Sequence, residues 1–92
     1  MKFVNENNQI AYVGEKESEA LAYLKYSVIE DGKVLSVDST FVDPSLRGQG
    51  IAHQLVDELA DYARKNDYKI KPECSYVVDL FERSDEYQDV AY

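Results

Sequence analysis

Residues 42–66 read Val42-Asp43-Pro44-Ser45-Leu46-Arg47-Gly48-Gln49-Gly50-Ile51-Ala52-His53-Gln54-Leu55-Val56-Asp57-Glu58-Leu59-Ala60-Asp61-Tyr62-Ala63-Arg64-Lys65-Asn66, and three backbone regimes succeed one another along them. Val42 closes a run of β-formers. Pro44 cannot donate to a ladder and pre-sets a turn, so Asp43-Pro44-Ser45-Leu46 breaks the strand. From Ile51 the apolar residues Ile51, Ala52, Leu55, Val56, Leu59, Ala60 and Ala63 recur at spacings of three and four, with Asp57, Glu58, Asp61 and Arg64 between them. That period belongs to an amphipathic helix running to about Asn66. Arg64 and Lys65 suit the negative end of its dipole, and Asn66 tolerates the left-handed conformation that stops a helix. Strand, glycine-containing loop and helix follow in that order.

Upstream the chain reads as β. Short runs at Phe3 and Val4 and at 9–13 flank an Asn7-Asn8 turn. Residues 20–29 place β-formers on both faces, and Asp31-Gly32 favours a tight hairpin into a second strand at 34–42. Downstream, 68–71 forms a short strand, Pro72 interrupts it, and 74–83 gives a second helix with Val77, Val78, Leu80 and Phe81 available for packing. Residues 84–92 are acidic and aromatic, without a period that assigns them an element. The expected fold class is α/β, a minimal mixed sheet with two principal helices in one domain spanning 1–92.

At 92 residues the chain has room for one core, with 45% hydrophobic and 30% charged residues favouring a globular fold over disorder. A domain so small is marginal, so ligand-dependent stability is expected. No apolar run is long enough to span a membrane, and Met1-Lys2-Phe3-Val4-Asn5 leads into acidic residues, not a signal-peptide stretch. The expected location is cytoplasmic, with no membrane partner. Cys74 is the only cysteine, which rules out an internal disulfide and a multi-cysteine metal site in a monomer. The net charge of −8 argues against nucleic acid. Residues 47–71 nonetheless carry a net +1, leaving −9 on the remainder. A small polyanion suits the first region; a cationic partner suits the second.

A loop of this kind before a helix is a ready anion site, because free backbone amides and the positive end of the helix dipole converge there. Gly48 and Gly50 lack a Cβ that would keep a pyrophosphate at a distance. A plain turn that merely starts a helix remains the competing reading. No Gly-Lys-Ser/Thr follows, so it is not a Walker A loop; His53 stands where a dinucleotide fingerprint needs its third glycine.

The same stretch resembles the coenzyme A signature of the GNAT acetyltransferase superfamily, Arg/Gln-x-x-Gly-x-Gly/Ala, with Arg47, Gly50 and Ala52 in its defining positions. The resemblance implies that amides from Arg47, Gly48, Gln49, Gly50, Ile51 and Ala52 hold the pyrophosphate of acetyl-coenzyme A. It also implies that the strand ending near Val42 pairs with the pantetheine arm. Over 38–92 the chain is similar to a small GNAT-like subfamily with a Pro-x-Cys-Ser-Tyr segment, here Pro72-Glu73-Cys74-Ser75-Tyr76. That group often has His-Thr before the loop, where this chain has Ser39-Thr40, so no role for that histidine carries over.

Superfamily members often protonate the departing thiolate with a tyrosine on the second helix, and Phe81 occupies that place here. The catalytic candidates are therefore Cys74 and Tyr76. Cys74 precedes a helix whose dipole would favour a thiolate that accepts the acetyl group, or else it is a small buried hydrophobe. Tyr76 is a substitute acid or a packing aromatic. His53 is a solvated helix residue or a contact to a coenzyme A phosphate. Asp38 is a conceivable base, more simply a surface carboxylate. The expected function is transfer of acetyl from acetyl-coenzyme A to an amine of a small molecule or peptide. A non-catalytic acyl-coenzyme A module and a protein-interaction domain with a vestigial loop are the alternatives.

Overall fold

Five strands, β1 (Lys2–Glu6), β2 (Gln9–Val13), β3 (Ala20–Ile29), β4 (Val34–Val42) and β5 (Lys69–Pro72), form one sheet in sequence order. They belong to a computed structural model that describes residues 2–13 and 20–92; Met1 and residues 14–19 lie outside it. The first three pairings are antiparallel. β4 and β5 run parallel, so helix α1 (Ile51–Asn66) must cross over between them. A second helix, α2 (Ser75–Arg83), follows β5.

The turns follow from local chemistry. Asn7 and Asn8 take φ values of 53° and 60°, the left-handed pair that a two-residue hairpin needs. The second hairpin is wider than the Asp-Gly pair alone suggests. Glu30, Asp31 and Gly32 all have positive φ, and the amides of Gly32 and Lys33 both donate to the Ile29 carbonyl.

The periodic stripe of α1 buries Ile51, Leu55, Val56, Leu59, Ala60 and Ala63 in the same cluster as Leu24, Tyr26, Leu35 and Val37 of the sheet. The helix runs to Asn66 as expected, but the left-handed position that stops it is the next one. Asp67 takes it, at φ 57°, with the amides of Asp67 and Tyr68 closing on the Ala63 carbonyl. Asn66 stays helical and donates from Nδ2 to the Tyr62 carbonyl at 2.8 Å.

Pro72 does not interrupt β5; it is the last paired residue, opposite Val37. The acidic tail is an integral part of the fold. It makes a 3-10 turn at Asp85–Tyr87, and then Ala91 forms a parallel bridge to Ile70, whose amide donates to Val90 at 2.6 Å. Tyr87 and Val90 are buried in the main cluster. Arg64 of α1 holds this segment through Asp89, 2.7 Å from Nε to Oδ2, and through the Glu86 carbonyl at 2.8 Å. Among the described residues no helix is long and apolar enough to cross a membrane.

Candidate active site

The site begins where two parallel strands part. β4 pairs with β3 along most of its length, but with β5 only at Val34, Leu35, Ser36 and Val37. Beyond Val37, β5 has ended, and the amides of Glu73 and Cys74 both turn in to the Val37 carbonyl at 3.2 and 3.1 Å. Register also shifts in β4: Lys25 faces Ser39 while Tyr26 faces Val37, leaving Asp38 as the extra residue of a bulge. The edge of β4 from Ser39 to Val42 therefore has no strand on its β5 side among the described residues, which is the condition for an extended ligand arm to pair with it. Asp38 itself accepts a 2.5 Å hydrogen bond from the Ser27 hydroxyl and is exposed, as suits a surface carboxylate.

At the upper end of β4 the loop is organised by its own polar groups. Asp43 Oδ1 accepts from the Ser45 amide at 2.9 Å and from the Ser45 hydroxyl at 2.7 Å, capping a 3-10 turn at Pro44–Leu46. These two bonds hold the Asp43 carboxyl below the usual carboxylate range, with a smaller contribution from the Arg47 charge. The chain then rises through Gly48 at φ 85° and Gly50 at φ 74°, both left-handed. Gly50 caps α1 without any side-chain bond. The first amides of a helix have no partner within it, so those of Ile51, Ala52 and His53 face the loop. A Cβ built on either glycine would meet nothing within 4 Å; space above the backbone is open to a ligand. Arg47, Gly48, Gln49 and Gly50 are all exposed.

Across the gap Cys74 caps α2 in an extended conformation, φ −78° and ψ 132°, and is half-buried. Burial pushes the thiol up, but the Thr40 hydroxyl and the backbone amides of Tyr76 and Val77 outweigh it, and the thiol lies below its ordinary range. No short, well-aligned cap bond forms to the sulfur, and the buried Thr40 hydroxyl makes no conventional hydrogen bond among the described residues. The shift is thus the work of oriented dipoles converging on the thiol. Thr40 stands directly after Ser39 on the free edge of β4, so Cys74 faces that edge.

Tyr76 is exposed; burial of its ring is the main cause that raises its phenol, with Arg83 lowering it and Asp57 raising it. A raised phenol stays protonated and can donate. Phe81 does not face the gap as a bare hydrocarbon: it lies flat on Tyr87, with centroids 4.9 Å apart and 9° between planes. The Tyr87 hydroxyl donates to Asp57 Oδ1 at 2.5 Å, and burial together with that carboxylate drives its pKa far up. Sequence reading missed Tyr87 because Asp85, Glu86, Gln88 and Asp89 surround it; its three-residue spacing to Val90 was the only available signal. His53 lies in the first turn of α1 with its Nε2 3.7 Å from Asp57 and 3.5 Å from Glu86. A hollow of about 530 Å³ elsewhere, lined by Lys2, Val4, Gln9 and Ala11, contains none of these residues.

Comparison with known proteins identifies the fold and the family. The family model of the GCN5-related N-acetyl-transferases matches residues 9–90. A GCN5-like candidate N-acetyltransferase from Staphylococcus aureus, studied by NMR, is 31% identical with a TM-score of 0.81, over 99% of this chain and 87% of its own. Ribosomal-protein-alanine N-acetyltransferase from Brucella melitensis is 22% identical with a TM-score of 0.58, over 95% of this chain and 63% of that one. An acetyltransferase from Trypanosoma brucei is 20% identical with a TM-score of 0.52, over 72% and 49%. These last two share the fold alone and extend well beyond it. The chain belongs to the GCN5-related N-acetyl-transferase family.

Proposed function

We propose that this protein binds acetyl-coenzyme A along the free edge of β4 and at the start of α1, and transfers the acetyl group to an amine of a small molecule or peptide. The observation that carries the reading is the continuity of an unpaired strand edge with a glycine-capped helix start. The amides of residues 47–52 would hold the pyrophosphate, with Val42 and its neighbours pairing with the pantetheine arm. His53, at the far end of that run, stands between two carboxylates, so the proposal assigns the phosphates to the amides before it. Acetyl-coenzyme A supplies an activated thioester.

Cys74 is the proposed nucleophile. Its thiolate attacks the thioester carbonyl, forming an S-acetyl bond as the coenzyme A sulfur departs and takes up a proton. Attack by the neutral acceptor amine then forms the amide and returns the thiol. Tyr76, protonated, is the candidate donor to the departing sulfur. The −9 balance outside residues 47–71 favours a cationic acceptor. Raising salt should then slow the encounter, whereas salt-independent kinetics would favour a neutral acceptor.

Phe81, without a hydroxyl and packed on Tyr87, favours a second reading, a non-catalytic acyl-coenzyme A module. Release of free thiol from acetyl-coenzyme A in the presence of an amine pool separates the two. The transferase reading expects amine-dependent release that Gly50→Trp eliminates; binding without release supports the module.

A further inference from the structure

The chain's single histidine faces two carboxylates from different parts of the fold. His53 and Asp57 are one turn apart on α1, and Glu86 comes from the 3-10 turn after α2. One ligand atom from each of the three lies within 4.8 Å of the other two. The imidazole is 44% exposed, yet Nε2 itself is buried and makes no hydrogen bond among the described residues. Its 3.7 and 3.5 Å approaches are too long for good hydrogen bonds. A divalent ion with bonds of about 2.1 Å sets neighbouring ligand atoms roughly 3.0–3.4 Å apart. The three atoms are therefore close to a ligand set, short of it by an adjustment that half-exposed carboxylates can make.

Two of the ligand atoms are already oriented from behind. Tyr87 donates to Asp57 Oδ1 at 2.5 Å, and the Ser84 hydroxyl donates to Glu86 Oε2 at 3.3 Å. Outer hydrogen bonds of this kind aim metal ligands. Arg64 ties the Glu86 carbonyl to α1 at 2.8 Å, so the turn is held in place independently of any ion. One imidazole and two carboxylates give a donor set for a borderline first-row ion in preference to magnesium or calcium.

We propose that His53, Asp57 and Glu86 bind one divalent cation of the zinc and cobalt(II) class, joining the C-terminal turn to α1. The proposal uses none of the loop amides and does not depend on coenzyme A binding. The test is a calorimetric titration of ZnCl2 into Cys74→Ser protein, which removes the only thiol as a competing ligand, with the single imidazole followed by NMR. One equivalent should bind and shift the His53 ring resonances, while MgCl2 should leave them in place. His53→Gln and Glu86→Gln should each weaken zinc by at least about tenfold, with melting temperatures of the metal-free proteins showing that both remain folded. Asp57→Asn provides the same reading should either variant be unstable. Unmoved imidazole signals at millimolar zinc, or equal affinity in the folded variants, would overturn the proposal.

Discussion

The two helices of this protein begin in opposite ways. Helix α1 starts at Gly50, with no side chain to occupy its first amides and no Cβ contact within 4 Å. Helix α2 starts at Cys74, whose sulfur lies under the influence of the Tyr76 and Val77 amides. The same partial positive charge exists at both ends. At α1 no side chain takes it up, which is why an external anion is proposed there; at α2 it acts on the protein's own thiol. A helix start becomes a binding site or a reactive side chain according to what occupies the cap.

The contrast breaks most severely at Gly50. Gly50→Trp places a large side chain over the amides and should bring coenzyme A binding below calorimetric detection. The left-handed backbone there costs a non-glycine residue roughly 1–2 kcal/mol, so the metal-free, ligand-free fold should survive with a lowered melting temperature. Gly50→Asp is subtler, because it gives α1 its own anion as Cys74 does α2. Lost charge-assisted bonds of about 1.5–3 kcal/mol predict coenzyme A binding weaker by about 10- to 150-fold.

At the other helix the expected effects are smaller. Thr40→Val removes the hydroxyl that helps to lower the Cys74 thiol and should move it back toward its ordinary range, slowing alkylation by iodoacetamide several-fold at neutral pH. Unchanged alkylation would mean that the helix amides alone set the thiol. The smallest effect is on stability. A thiol lowered in the folded state contributes stability that is present above the unfolded value of 9.0 and is lost as pH falls through the folded value. Melting curves of wild type against Cys74→Ala should therefore diverge in favour of wild type as pH rises toward that range; parallel curves would contradict the shift.

Much of this was legible in the chain because its signals are local. The period of α1, the bounds of β3 and β4, and the glycine loop all follow from spacing and turn chemistry, and each matches its observed residues. The loop also announced itself by composition, since only glycine gives both positive φ and close approach. Other features were hidden. The tail is placed chiefly by Ile70, twenty residues before Val90, and by Arg64 of α1, contacts that no period in its own sequence announces. Pro72 stays in β5 since its missing amide falls at the strand's last residue, where no ladder bond is required of it. The left-handed stop falls on Asp67 instead of Asn66 because both types tolerate that backbone, and sequence alone gives no choice between neighbours. The gap between β4 and Cys74 was equally unreadable, being a consequence of where two strands stop pairing.

The proposed function requires an external anion at the start of α1. Titrating coenzyme A into ¹⁵N-labelled protein tests it directly. Saturable shifts are expected for the Gly48, Gly50, Ile51 and Ala52 amides, accompanied by residues on the free edge of β4 up to Val42, with the remote β1–β2 hairpin unmoved. A folded protein whose loop amides stay in place at millimolar coenzyme A would contradict it.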